Sequence, residues 1–173
     1  MGIEKRNRYN REGSIMSIKR YIANKDNTIT NAFKDNLITR AVSSSLGASD
    51  ILEVFSIYGQ ALSASLEKSR VLVQFPTAGI LSDRSAGSIP ASGSVDFVFG
   101  LSNAEHSSTT PEDFTLSVHV ITSASWDEGY GIDMETYKEK GASNWLSSSL
   151  STKWNTPGGD YMTSSYAKHI PFS

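Results

Sequence analysis

The chain has no cysteine in 173 residues. That excludes a disulfide framework, thiolate-ligated zinc and thiol catalysis together. Histidine occurs only at His106, His119 and His169, far apart in sequence, so no short histidine motif for metal or acid–base work is present. No apolar run approaches the roughly 20 residues that a membrane-spanning helix needs. The opening Met1-Gly-Ile-Glu-Lys-Arg-Asn-Arg-Tyr-Asn-Arg11 lacks an apolar core, so a secretory signal is not expected. No amphipathic helix of ordinary length stands out, and no internal repeat. The motifs for phosphate loops, nucleophile elbows and zinc proteases are missing as well.

What is abundant is serine, with glycine and threonine, a composition suited to short strands joined by many turns. Hydrophobic residues make up 38% and charged residues 20%, as in a globular domain rather than a disordered chain. The net charge of −2 is unevenly spread. Residues 1–40 hold nine Lys/Arg and four Asp/Glu, a net of +5; residues 41–173 hold seven and fourteen, a net of −7. A basic arm over residues 1–18 on an acidic body over 19–173 is therefore expected, with Lys5, Arg6, Arg8 and Arg11 available to latch onto an acidic neighbour.

Along the body the hydrophobic period is mostly two. Thr28–Phe33 alternates like a half-buried strand, with Lys25–Asn27 as the turn before it. Ile51–Tyr58 is rich in β-branched and aromatic residues and ends at Gly59. Arg70–Phe75 reads as a strand closed by Pro76. Ser82–Ser94 is Ser/Gly/Pro-rich and reads as a connection, followed by a strand over Val95–Leu101. Phe114–Thr122 is the best-patterned strand, with Phe114, Leu116, Val118 and Val120 on one face and His119 directed to solvent on the other. Tyr166–Phe172 is expected as a last strand. Six or more short strands with frequent turns predict an all-β chain, an antiparallel β-sandwich.

Enzyme chemistry finds little support. The carboxylate pairs Asp127/Glu128 and Glu112/Asp113 are sequence neighbours, and adjacent side chains on an extended chain point apart. Three other readings centre on the stretch from Trp126 to Tyr161. Asp127, Glu128 and Asp133 bracket two glycines, a loop that could hold a structural calcium ion, although the spacing is not that of an EF-hand. Tyr130, Trp154 and Tyr161, beside Trp126, could offer aromatic faces to a sugar ring. Alternatively, Trp126 ends a buried strand and plugs the end of the sandwich beneath Trp154.

Several segments together resemble the DNRLRE domain, a jelly-roll β-sandwich related to carbohydrate-binding modules. They are the loop Ser45-Leu-Gly-Ala-Ser49 before Asp50-Ile-Leu-Glu-Val54, the strand Ser69 to Phe75, the strand and loop from Val120 to Gly129, and the closing Trp154-Asn-Thr-Pro-Gly-Gly-Asp-Tyr161. Gly47–Gln60, Asn103–His106 and Ser125–Asp133 are similar to virion structural proteins of tailed, especially marine, phages that contain this domain. The resemblance spans residues 20–161. It departs from the family at Leu46, which precedes Gly47 where the family has asparagine. The family's further strand after the tryptophan–asparagine segment must be supplied by Tyr166–Phe172 or by a partner chain.

The resemblance implies an antiparallel jelly-roll sandwich with an extended N-terminal arm. It implies a non-enzymatic virion structural protein, a capsid or tail decoration component on the particle exterior, oligomeric in the assembled particle. The partners would be other virion proteins, with no membrane, no specific nucleic acid and no cofactor beyond a structural calcium. The alternative it implies is a carbohydrate-binding module for a polysaccharide or host glycan.

Overall fold

The computed structural model describes residues 8–9, 15–16, 18–57, 66–90, 95–102, 104, 114–123, 125–135, 142–163 and 168–172. Among the described residues the regular structure is mostly strand with one short helix, and the strands pair antiparallel wherever their register is defined. By contacts it separates into two units: Met1–Asn24 with Gln74–Leu101, and Lys25–Val73 with Ser102–Ser173. The sequence reading drew its one boundary at residue 18.

The larger unit carries the three-stranded sheet, ordered β3-β5-β4, where β3 is Lys25–Thr30, β4 is Ser56–Ile57 and β5 is Glu67–Gln74. The β5 strand forms where Val71, Leu72 and Val73 favour extended backbone, and it stops before Phe75-Pro76. Lys25–Asn27 belongs to β3 rather than to a turn. The reason is tertiary: Asn27 is fully buried, and its side chain is a hub between loops. Its Nδ2 donates to Ser143 O (2.8 Å) and Ser143 Oγ (2.7 Å), while its Oδ1 accepts from Leu46 N (2.8 Å). Thr28 and Thr30 are buried as well, so β3 does not alternate as a half-exposed strand would. On the face opposite Asn27, Thr28 Oγ1 accepts from Glu53 N, and Thr30 Oγ1 donates to Lys68 O of the neighbouring β5.

The expected strand over Ile51–Tyr58 shrinks to the two residues of β4, and Tyr58 lies outside the described residues. Ile51 and Val54 are exposed, so the apolar pattern there is not spent on the core. The core holds Ile29, Leu72 and all three tryptophans, Trp126, Trp145 and Trp154, with Val42 and Ile121 packed against them. A second ladder pairs β6 (Phe114–Val118) with β7 (Lys168–Phe172) in the register Phe114↔Phe172 to Val118↔Lys168. An Ile121↔Tyr161 bridge, flanked by Thr122 N–H to Asp160 O and Met162 N–H to Val120 O, adds a further antiparallel contact. The expected final strand is therefore present and pairs with the best-patterned one.

The smaller unit holds a two-stranded ladder, β1 (Arg8–Tyr9) with β2 (Ile15–Met16), and the helix α1 (Thr77–Ser85). The helix extends into the stretch read as a connection. It starts after Pro76 and ends in a Schellman turn, with Ser88 N–H on Asp83 O and Gly87 N–H on Arg84 O. No residue of α1 is buried, so no apolar stripe announces it. Asp83 ties the preceding segment to the helix through an ion pair with Lys19 and a 2.7 Å bond from Tyr21 Oη. The Lys19 and Tyr21 donors hold the Asp83 carboxyl below its ordinary range. Val95–Leu101 is irregular rather than a strand. Its alternation is intact, but among the described residues no neighbouring strand offers a ladder.

Candidate binding cleft

The larger unit has a cleft of about 280 Å3 on the Trp154–Tyr161 loop, lined by Thr122, Thr156, Thr163, Asn155, Asp160 and Tyr161 among others. The loop is built by its own polar groups. Asp160 Oδ1 accepts from Thr156 N (2.9 Å), and Oδ2 accepts from both Asn155 N and Asn155 Nδ2 (3.0 Å each). The Asn155 and Thr156 backbone donors stabilise the ionised form and lower the Asp160 pKa. Gly158 sits at φ +94, where a side chain is strained. A Cβ there would meet Arg70 Nη1 at 2.7 Å and Trp145 at 2.8 Å.

Arg70, from β5, is the clamp beneath this loop. Its Nη1 donates to Gly158 O (2.6 Å) and its Nη2 to Tyr161 Oη (3.2 Å). Its guanidinium also stacks 5.1 Å from the Trp145 ring and 4.7 Å from the Tyr161 ring. The His119 ring lies 4.8 Å from that of Tyr161, and its Nδ1 donates to Met162 O at 3.0 Å. His119 is thus half-buried in a structural contact, not directed to solvent as expected. Chemically the cleft offers threonine hydroxyls, an amide and one ring edge. It suits hydrogen bonding to a small polyhydroxylated surface, while the Asp160 oxygens are already engaged.

Comparison with known proteins finds no matching family model, no similar curated protein and no similar solved structure. The site residues therefore rest on their geometry.

That geometry separates the expected aromatic platform. Tyr130 is 83% exposed, Trp154 only 5%, and Tyr161 is half-buried against Arg70 and His119. Trp154 is a core residue whose Nε1 donates to Asn144 O (2.8 Å), so it has no face to offer a sugar. Trp126 is buried too, with Lys25 Nζ 5.9 Å from its ring. The acids expected to share a calcium ion are engaged separately. Glu128 Oε1 accepts from Asp26 N (2.8 Å), Asp133 Oδ1 accepts from Glu135 N (2.8 Å), and Asp127 is exposed. Among the described residues no group of three or more acidic, histidine or cysteine side chains is placed to hold a metal. Of the basic arm, Lys5, Arg6 and Arg11 lie outside the described residues, and Arg8 lies in β1.

Sequence reasoning missed Asn27, Arg70 and Glu67. Glu67 is 1% exposed; its Oε2 accepts from Phe33 N (2.8 Å), while its Oε1 is buried without a partner. Arg70 was a charged side chain inside a strand-patterned run, a common feature of solvent-facing positions, Asn27 lay in a stretch that reads as a turn, and Glu67 lay before the strand-patterned run. Among the described residues no helix is long and apolar enough to cross a membrane.

Proposed function

We propose that the chain is a non-enzymatic structural component of a virion, a decoration or attachment protein on a capsid or tail exterior. On this reading it packs on a symmetric lattice through its basic N-terminal arm and the open edges of a jelly-roll sandwich. The observation that carries the reading is where the apolar side chains lie. Among the described residues, seventeen large hydrophobic side chains are exposed against ten buried apolar residues. In the smaller unit the imbalance is extreme: Ile89 is the one buried hydrophobic described, while Ile18, Ile22, Leu81, Phe97, Val98 and Leu101 are exposed. So much apolar surface on a single chain suits a protein that finishes its core by association.

Two further observations support the family resemblance behind this reading. A Cβ on Gly47 would fall on the backbone carbonyl of Glu128, so the early glycine loop and the Trp126–Gly129 loop must be in close contact. The closing loop, in turn, locks against the Ser69–Phe75 strand through Arg70. The segments that carry the resemblance therefore pack on one another. Charge asymmetry, +5 over residues 1–40 and −7 beyond, suits an arm that grips an acidic neighbour.

Deleting residues 1–17 tests the arm. The truncated chain, produced alongside assembling particles, is expected to fall at least tenfold in particle-associated copy number while keeping its melting temperature. Undiminished incorporation would remove the arm from the account.

A second reading, glycan binding, is favoured by the hydroxyl-lined cleft alone. It predicts signals on a glycan array that drop severalfold in Thr156→Ala at unchanged stability. A flat array with the intact chain would end that reading.

A further inference from the structure

Val95-Asp-Phe-Val-Phe99 carries the alternation of a β-strand, yet among the described residues it belongs to no ladder. Phe97 is 64% and Val98 90% exposed, so the segment forgoes both backbone pairing and burial. A ring contact between Phe99 and Phe75, centroids 5.8 Å apart, holds its far end. Among the described residues the same chain has an unpaired strand edge of matching length. On one side of β5 lies β3; on the other, β4 covers only Glu67 and Lys68, in the register Ile57↔Glu67 and Ser56↔Lys68. No described strand lies beside Arg70–Gln74 on that second side.

Unpaired edges with apolar side chains recruit strands from other chains, because backbone hydrogen bonds supply affinity and alternate side chains supply register. Antiparallel pairing within one chain is blocked. With Phe99 beside Phe75, the rest of the segment would run along Thr77–Ser85, which is helix. Charge favours a second copy as the occupant. The unit that carries Val95–Phe99 holds seven Lys/Arg and four Asp/Glu, a net of +3, and the unit that carries Arg70–Val73 holds nine and fourteen, a net of −5, so copies set with the smaller unit of one against the larger unit of the next attract each other. Locally, Asp96 of the incoming segment would approach the strand that bears Lys68.

We propose that Val95–Phe99 of one copy adds as a strand to the Arg70–Gln74 edge of a second copy of this chain. This rests on the assembly reading and names one contact that would build the assembly. Strand addition would pair the backbone of both segments and cover Phe97 and Val98, whose exposure is otherwise costly.

The absence of cysteine makes the test clean, since any thiol is one that was introduced. Full-length chains carrying Val98→Cys are mixed with full-length chains carrying either Val71→Cys or Val73→Cys, oxidised mildly, and weighed by mass spectrometry without reductant. Strand neighbours meet the short Cα separations that disulfides require. At least one mixture is therefore expected to give linked heterodimers at tenfold or more the yield of a Val98→Cys and Leu150→Cys control, Leu150 being another exposed residue. Light scattering on the unsubstituted chain is run in parallel. Full-length chains carrying Val98→Cys together with Val71→Cys or Val73→Cys are oxidised in parallel; linkage within these chains and none between chains would overturn the second copy as occupant. Multimers in light scattering with no linkage above the control would overturn the strand addition yet leave assembly standing. A monomer at every concentration, with no linkage, would overturn both.

Discussion

Asp160 shows how much of the binding loop is made by one side chain. Its two oxygens accept three bonds from Asn155 and Thr156, and those donors pull its pKa below the ordinary 3.8. For a carboxyl depressed on folding, the stabilisation is complete above the unfolded-state value and is lost as pH falls through the folded-state value. Asp160→Asn should therefore melt below the parent at pH 7, with the gap closing as pH drops from about 4 toward 2. Melting curves at pH 7, 4, 3 and 2 check this; a gap of constant size would mean that the charge is not what matters. Asp26 runs the other way, its pKa raised by burial and by the nearby Glu128 carboxylate. Neither residue stood out in the sequence. An aspartate before an aromatic residue and an aspartate in a Lys-Asp-Asn run both read as turn chemistry, and only the folded chain shows which acid is capped and which is crowded.

At the scale of elements, local chemistry was legible where it agreed with the tertiary environment. Arg70–Phe75 and Phe114–Thr122 read as strands because β-branched runs, bounded by a proline or a polar loop, coincide with real ladder partners. Lys25–Asn27 misled because turn-forming side chains there are spent on long-range bonds, Asn27 above all. Val95–Leu101 misled for the opposite reason: its pattern is right for a strand but no partner is present within the described chain. The helix α1 was invisible because it buries nothing. Trp126 and Trp154 were legible as core residues, but Trp154 could not be separated from a sugar platform without its burial. The element that fixes the cleft is the Gly158 turn, which combines positive φ with Arg70 and Trp145 in van der Waals range. Gly158→Ala should cost roughly 2 kcal/mol or more, from left-handed strain plus overpacking. Gly87→Ala, also at positive φ but with open space around it, should cost only about 1 kcal/mol. Denaturant titrations of the two variants measure the difference; equal losses would show that packing at Gly158 is slack.

At the scale of the whole molecule, the decisive property is the mismatch, among the described residues, between a small aromatic core and many exposed large apolar side chains. Ile29, Leu72 and three tryptophans centre the larger unit, whereas the smaller unit described here buries little beyond Ile89. On the proposed reading, such a chain would gain by association what it lacks in internal burial, and its basic N-terminal region and acidic remainder would give that association a direction. The most direct measurement is the copy number of this chain in particles purified away from free protein, taken from quantitative mass spectrometry against the major shell protein. The account predicts retention through high-salt-free density purification at a fixed small-number ratio to the shell or tail subunits. A chain found only in the free fraction, or at a ratio that varies from one preparation to the next, would contradict it.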